Sequence, residues 1–307
     1  MRAGASEVGE GESKRAADTD RIYDKEMIEG RRSATAERVA MRRAAHQLYD
    51  EPVVFEDPLA LTILSDEAAA QVRTGAEQEN QNLWARGLRA FMAVRSRFAE
   101  EELAEAVARG VRQYVVLGAG LDTFAYRNPF AELRVFEVDF PHTQAWKHQR
   151  LAHGGIAIPE SVRYAAVDFE RHSLADGLAE AGFRREEPAF FSWLGVVPYL
   201  TRPAAFATLQ FIAGMPQGSG VVFDYAIPRE MMGERERDAF DMLAARVARA
   251  GEPFRLFFKP QELEAELRGM GFEQVEDLDG TAIRARWLPG QETRPHGRSG
   301  RLLCAWV

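Results

Sequence analysis

The chain has 307 residues, with 47 acidic against 39 basic side chains, a formal charge of −8 and a pI near 5.5. That balance argues against a nucleic-acid binder, whose footprint is basic, and no apolar run reaches membrane-spanning length. A single cysteine, Cys304, excludes an intramolecular disulfide and a cysteine-built metal site; the expectation is a cytoplasmic protein with no metal, no membrane contact and an open oligomeric state, since the first residues lack a signal-like apolar segment.

Residues 1–20 are small, polar and charged, with little to bury, and read as a disordered tail. Residues 21–110 read as a helical cover. From Ser33 to Tyr49 the set Ala36, Val39, Ala40, Arg43, Ala44 and Leu48 has helical spacing, and Glu56-Asp57-Pro58-Leu59-Ala60 reads as the start of a short helix with proline in its first turn. Asn82 to Arg109 reads as a long amphipathic helix whose apolar side carries Leu83, Phe91, Val94, Phe98 and Leu103. Arg95 and Arg97 lie on it. Solvation is the ordinary fate of such arginines, yet Arg95 is placed to offer a bidentate cation to a cofactor carboxylate.

Residues 111–307 read as an α/β core. Gln113-Tyr114-Val115-Val116-Leu117 is a buried strand that stops at Gly118-Ala119-Gly120, and a second run, Arg134 to Val138, closes on Asp139. With a helix start after the glycines, the two read as the first βαβ unit of a nucleotide-cofactor domain. The glycines let a ligand lie against the main chain, and Asp139 is placed to accept from a ribose diol. A nicotinamide dinucleotide would want a third glycine where Thr123 stands, and Asp122 puts a negative charge where its pyrophosphate would sit. A phosphate-free, cationic cofactor suits this turn better, and S-adenosylmethionine is one.

Pro141 to Ala152 reads as a helix, and His142, His148 and His153 near it lack the spacing of metal ligands, which makes them surface residues. A third strand, Val162 to Val167, ends on Asp168-Phe169, suited either to an adenine ring or to capping a helix. The fourth strand, Ala189 to Val197, runs into Pro198-Tyr199-Leu200-Thr201-Arg202-Pro203, where Thr201 and Pro203 open a helix. Tyr199 and Arg202 are candidates to orient an acceptor, against core packing for the first and solvent exposure for the second. After a fifth strand, Gly220 to Tyr225, comes a lid-like insertion, 228–260, with a helix through Phe240, Leu243 and Val247. Its loop, Gly251 to Phe258, is apolar enough to be core or pocket lining. A helix from Pro260 to Met270 and strands Phe272–Leu278 and Arg301–Val307 follow; with no helix evident between them, those strands read as an antiparallel hairpin closing the sheet.

Leu117-Gly118-Ala119-Gly120-Leu121-Asp122-Thr123 with Tyr126-Arg127, Glu137-Val138-Asp139-Phe140-Pro141, Trp146-Lys147 and Gly195 with Tyr199-Leu200-Thr201 together resemble the leucine carboxyl methyltransferase family, from about Thr35 to the C-terminus. The resemblance implies a class I, Rossmann-like methyltransferase fold. Its sheet is seven-stranded and mostly parallel with an antiparallel last strand, under an N-terminal helical cover. It also implies S-adenosylmethionine as cofactor and O-methylation of a small-molecule acceptor, some members serving polyketide or other secondary metabolism. Carried over, Arg95 holds the cofactor carboxylate, Gly118, Ala119 and Gly120 the methionyl part, Asp139 with Phe140 the ribose, and Asp168 with Phe169 the adenine. Gly195 lies beside the cofactor, and Arg43 matches an arginine that faces the site. One departure is Leu194, where the family often has glutamate. The rivals are an NAD-dependent oxidoreductase and a non-catalytic scaffold.

Overall fold

The computed structural model describes residues 34–81, 83–288 and 300–307; the expected tail, 1–20, lies outside them. Three helices come first: α1 (Ala34–Tyr49), α2 (Asp66–Gln81) and α3 (Leu83–Ala108). The core follows as β1 (Gln113–Leu117), β2 (Arg134–Asp139), α4 (Pro141–His153), β3 (Val162–Ala166), α5 (Leu174–Glu180), β4 (Phe190–Trp193), α6 (Arg202–Ala213) and β5 (Gly220–Ala226). Then come α7 (Glu234–Arg249), α8 (Pro260–Met270), β6 (Gln274–Leu278), α9 (Gly280–Trp287) and β7 (Gly300–Trp306).

The seven strands form one sheet in the order β3-β2-β1-β4-β5-β7-β6. β1 to β5 are parallel, with Val115 beside Phe136 on one side and Phe191 on the other, whereas β7 runs antiparallel to both β5 and β6. Both faces of the inner strands β1, β2, β4 and β5 are covered, which is why they read as mainly apolar runs, whereas the edge strands β3 and β6 show residues to solvent. Val115, Leu117, Phe136 and Phe191 point into one core; Tyr114, Val116, Val135 and Phe190 point into the other, against Val94, Phe98 and Leu103 of α3. A third cluster, with Ala40, Ala44, Ile63, Val72 and Trp146, binds the cover to α4.

Five local readings change. No α-helix follows the glycine turn between β1 and β2: Asp122 Oδ1 accepts from Phe124 N, and the chain makes only a 3-10 turn, Phe124–Tyr126, before β2. The expected short helix at Asp57 is a run of turns: the Asp57 carboxylate accepts from Leu59 N at 3.1 Å and is drawn into a buried cluster instead of capping a helix. α2 was not anticipated, although Ser65 Oγ caps it by accepting from Ala68 N and Asp66 and Glu67 fill its first turn. β4 ends at Trp193, because Gly195 turns with φ +73 and Val197–Tyr199 coils into a 3-10 turn. β6 and β7 do pair, but α9 lies between them. Asp279 caps it, accepting from Thr281 N and Ala282 N at 2.8 Å each, and Trp287 meets Phe98 edge-on at 5.4 Å. The side chain of Leu83 lies outside the described residues.

Candidate functional site

Strand order reverses between β1 and β4, and at the carboxyl ends of these strands open α/β sheets bind their ligands. There the structure has a cavity of about 570 Å³. Arg95, Gly118, Ala119, Gly120, Asp139, Phe140, Asp168, Phe169 and Gly195 all line it, as do Arg43, Leu194 and Tyr199.

The glycine turn is held from below. Gly118 N and Ala119 N donate to Val138 O at 2.8 and 3.0 Å, and Gly118 and Gly120 have φ of +68 and +45. A Cβ on Gly118 would stand 2.3 Å from Val196 Cγ2, so only glycine fits. Asp139 joins the turn to β2: Gly120 N donates to Oδ2 at 2.6 Å and Phe140 N to Oδ1 at 2.7 Å. Burial raises its carboxyl above the ordinary range, with the two amides opposing. Each oxygen keeps a lone pair for a ligand hydroxyl.

Beyond the turn lies a cluster of charges the sequence did not announce. Asp57 is fully buried and accepts from Thr123 Oγ1 at 2.8 Å, with Arg43 Nε at 3.1 Å and Arg127 Nε at 3.6 Å. Arg43 also donates to Leu121 O at 2.7 Å and stands 3.7 Å from Asp122. Asp122 is therefore compensated: burial pulls its carboxyl upward, but Arg43, Lys147 and Arg127 hold it below the ordinary range, and its Oδ1 accepts from Phe124 N. Arg127 goes on to Glu100. Tyr126 and Lys147 converge on buried Glu137, at 2.9 and 2.8 Å.

On the β4 side, Arg95 is buried with its Nη1 3.1 Å from Asp224 Oδ2, while Asp224 Oδ1 accepts from Gly195 N. Arg97, by contrast, is half exposed and pairs with Glu101, the solvated fate expected of it. Asp168 Oδ1 accepts from Glu170 N, which makes it a turn-former; the cap of α5 is Ser173. Phe169 lies 6.1 Å from Trp193, ring to ring. Glu170 in turn accepts from Thr201 N and Thr201 Oγ1, both at 2.8 Å, tying the Asp168 loop to the start of α6.

Tyr199 faces the cavity and Phe254, at 5.2 Å between rings, and burial and the nearby Glu252 push its phenol well above its ordinary range. Arg202 takes the exposed of its two readings: it does not line the cavity, and its guanidinium pairs with Glu266 on α8 and lies over Phe206 at 4.3 Å. His148 and His153 are exposed, but His142 lines the cavity, against the surface reading, and its ring stacks on Phe140 at 5.4 Å. The loop of the insertion is both core and lining. Leu256 and Phe258 are buried, Pro253 and Arg255 line the cavity, and Arg255 N and Leu256 N dock on Pro198 O at 2.7 and 3.2 Å. Over the cavity, Thr35 N donates to Glu252 Oε2 at 3.2 Å, so α1 and the insertion meet there. Among the described residues no helix is long and apolar enough to cross a membrane.

Residues 36–213 match the family model described as leucine carboxyl methyltransferase. A Bacillus subtilis (strain 168) protein named "Putative S-adenosyl-L-methionine-dependent methyltransferase YktD" is 31% identical over 261 residues, covering 78% of this chain and 86% of its own. A Mycobacterium avium (strain 104) protein of the same description is 31% identical over 271 residues, 83% of this chain and 82% of its own. Among solved structures, a DUF574 family protein from Streptomyces avermitilis MA-4680 superposes with a TM-score of 0.54 at 17% identity, over 81% of this chain and 94% of that one. A Thermobifida fusca YX protein, titled "putative methyltransferase", does so with a TM-score of 0.53 at 19% identity, over 81% and 92%. The chain belongs to the leucine carboxyl methyltransferase family.

Proposed function

We propose that this S-adenosylmethionine-dependent methyltransferase acts on oxygen, methylating a carboxylate or hydroxyl of a small molecule in cytoplasmic secondary metabolism. The methyltransferase activity and its cofactor follow from the family and its relatives. The acceptor atom is our reading. One observation carries the small-molecule part of the reading: a single cavity is lined both by the glycine turn, Asp139, Asp168, Phe169 and Arg95 and by Leu194, Tyr199 and the insertion loop, leaving room for an acceptor beside the cofactor.

The residues fit the cofactor. Gly118 and Gly120 present bare main chain, Asp139 retains acceptor capacity for ribose hydroxyls, Phe140 and Phe169 offer ring surface, and Arg95 offers a buried cation. When bound, S-adenosylmethionine supplies a methyl carbon activated by a positively charged sulfur. The chain's own contribution is alignment, an effect worth on the order of 7 to 11 kcal/mol. Tyr199 stays a protonated phenol, so it serves as donor or wall and not as base. His172, also at the cavity, uses Nδ1 to accept from Asp168 N. An acceptor already ionised at neutral pH, such as a carboxylate of pKa about 4, needs no base, and this favours it over a phenol.

Calorimetric titration with S-adenosylhomocysteine and with NADH tests the cofactor assignment; binding of NADH alone would overturn it. Incubation with methyl-labelled cofactor and cell extract, then mild base, tests the acceptor. Methyl esters release the label and aryl ethers keep it, while label on nitrogen or carbon defeats the reading.

A further inference from the structure

Arg95 is not a lone cation. Its guanidinium is buried, and its one hydrogen bond among the described residues goes to Asp224 Oδ2 on β5 at 3.1 Å. The other oxygen of Asp224 accepts from Gly195 N, the turn that ends β4. Gly195 completes the clasp: a Cβ there would stand 2.9 Å from both Nη1 and Nη2 of Arg95, and its φ of +73 suits glycine alone. Asp224 itself is absent from the cavity lining, whereas Arg95 and Gly195 are both in it. Helix α3, strand β5 and the β4 exit thus meet at one buried carboxylate that touches no ligand space.

A single buried guanidinium would be costly to keep and free to turn; pairing lowers that cost and fixes the plane of the fork. The contact uses one Nη1–H of five donors, so the rest of the fork is available to a carboxylate arriving from the cavity. We propose that Asp224 is a positioning residue, which orients Arg95 for the carboxylate of the cofactor and locks the Gly195 turn beside it. This rests on the assignment of Arg95 made above. It further explains why an acidic residue stands near the carboxyl end of β5, beside a β4 exit where Leu194 contributes none.

The test compares two ligands, S-adenosylhomocysteine and methylthioadenosine, the second lacking the amino-acid end. Asp224→Asn keeps size and an acceptor for Gly195 N but removes the charge that holds Arg95. Its dissociation constant for S-adenosylhomocysteine is expected to rise about tenfold or more, and that for methylthioadenosine less than about twofold. Arg95→Ala should show the same selective loss, and Asp224→Asn should add little in that background. Equal weakening of both ligands by Asp224→Asn would mark a merely structural residue and overturn the proposal, as would unchanged or tighter S-adenosylhomocysteine binding. If Arg95→Ala is selective and Asp224→Asn is not, the proposal fails while the role of Arg95 stands. If Arg95→Ala is not selective either, both fail. Should Asp224→Asn not fold, Asp224→Ser, which leaves room for water, is read by the same ratio.

Discussion

Thr123 Oγ1 donates to Asp57 Oδ2 at 2.8 Å, and through this bond the helical cover grips the glycine turn. Asp57 is fully buried and also neutralises Arg43 and Arg127, which in turn hold Leu121 O, Asp122 and Glu100. The cover is therefore joined through Asp57 to the turn that lines the cavity.

Removing the carboxylate takes from buried Arg43 its shortest charge contact and from partly buried Arg127 one of its two carboxylate partners, Glu100 remaining. Asp57→Ala is expected to destabilise the protein by about 3 to 5 kcal/mol, whereas Thr123→Val, which removes the bond to Asp57 and the one Thr123 Oγ1 accepts from Arg127 Nε at 3.2 Å, costs about 1 to 3 kcal/mol. Urea denaturation of the two variants measures the difference; equal and small losses would show that the cluster does not hold the cover.

Gly118 carries two independent constraints, a φ of +68 and the 2.3 Å approach to Val196 Cγ2. Gly118→Ala is expected to cost about 1 to 3 kcal/mol from the backbone alone, plus the clash. Val196→Ala in that background removes the clash and not the backbone term, so it should recover part of the stability. Full recovery would mean that the left-handed conformation carries no penalty.

Asp139 accepts two amides and, in our reading, the ribose hydroxyls. Asp139→Ala is expected to weaken S-adenosylhomocysteine by about 1.5 to 3 kcal/mol, read by isothermal calorimetry. An unchanged dissociation constant removes the ribose assignment.

Asp50 gives a pH signature. Burial pulls its carboxyl up, but bonds from Arg89 and His46 bring it from 3.8 down to about 2. Because the folded value lies below the unfolded one, its stabilisation is complete above 3.8 and is lost as pH falls from there through about 2. Glu100, Glu137 and Asp139, raised chiefly by burial, act in the opposite sense. The difference between wild type and Asp50→Asn isolates the one group: about 2 kcal/mol at neutral pH, vanishing near about pH 2. A pH-independent difference would refute the pairing.

Arg202 lies outside the cavity, half exposed and paired with Glu266. Arg202→Ala should leave S-adenosylhomocysteine affinity unchanged and alter stability by no more than about 1 kcal/mol. A large loss of cofactor binding would mean that the start of α6 reaches the site after all.

Local pattern carried most of the core. Apolar runs buried on both faces marked β1, β2, β4 and β5, because an inner strand of a covered parallel sheet has no polar face to show, whereas edge strand β3 exposes Arg163 and Ala166. Gly118, Gly120 and Asp139 stood out because strand, turn and carboxylate are contiguous in the chain, so their relation is written in the spacing. Pairings between distant segments leave no such trace. Asp57 looked like a helix start because its partners, Arg43, Thr123 and Arg127, are brought to it only by folding. Asp224 looked like one more polar strand end until the packing of α3 against β5 set it against Arg95. Arg202 and Tyr199 are near neighbours in sequence, yet the turn of a helix sends one to Glu266 and leaves the other at the cavity. Composition and periodicity decided the kind of sheet and the place of its turn, since those depend on neighbours in the chain; which buried charges meet beneath the cavity was decided by the tertiary structure, because a side chain's partner is chosen by distance in space.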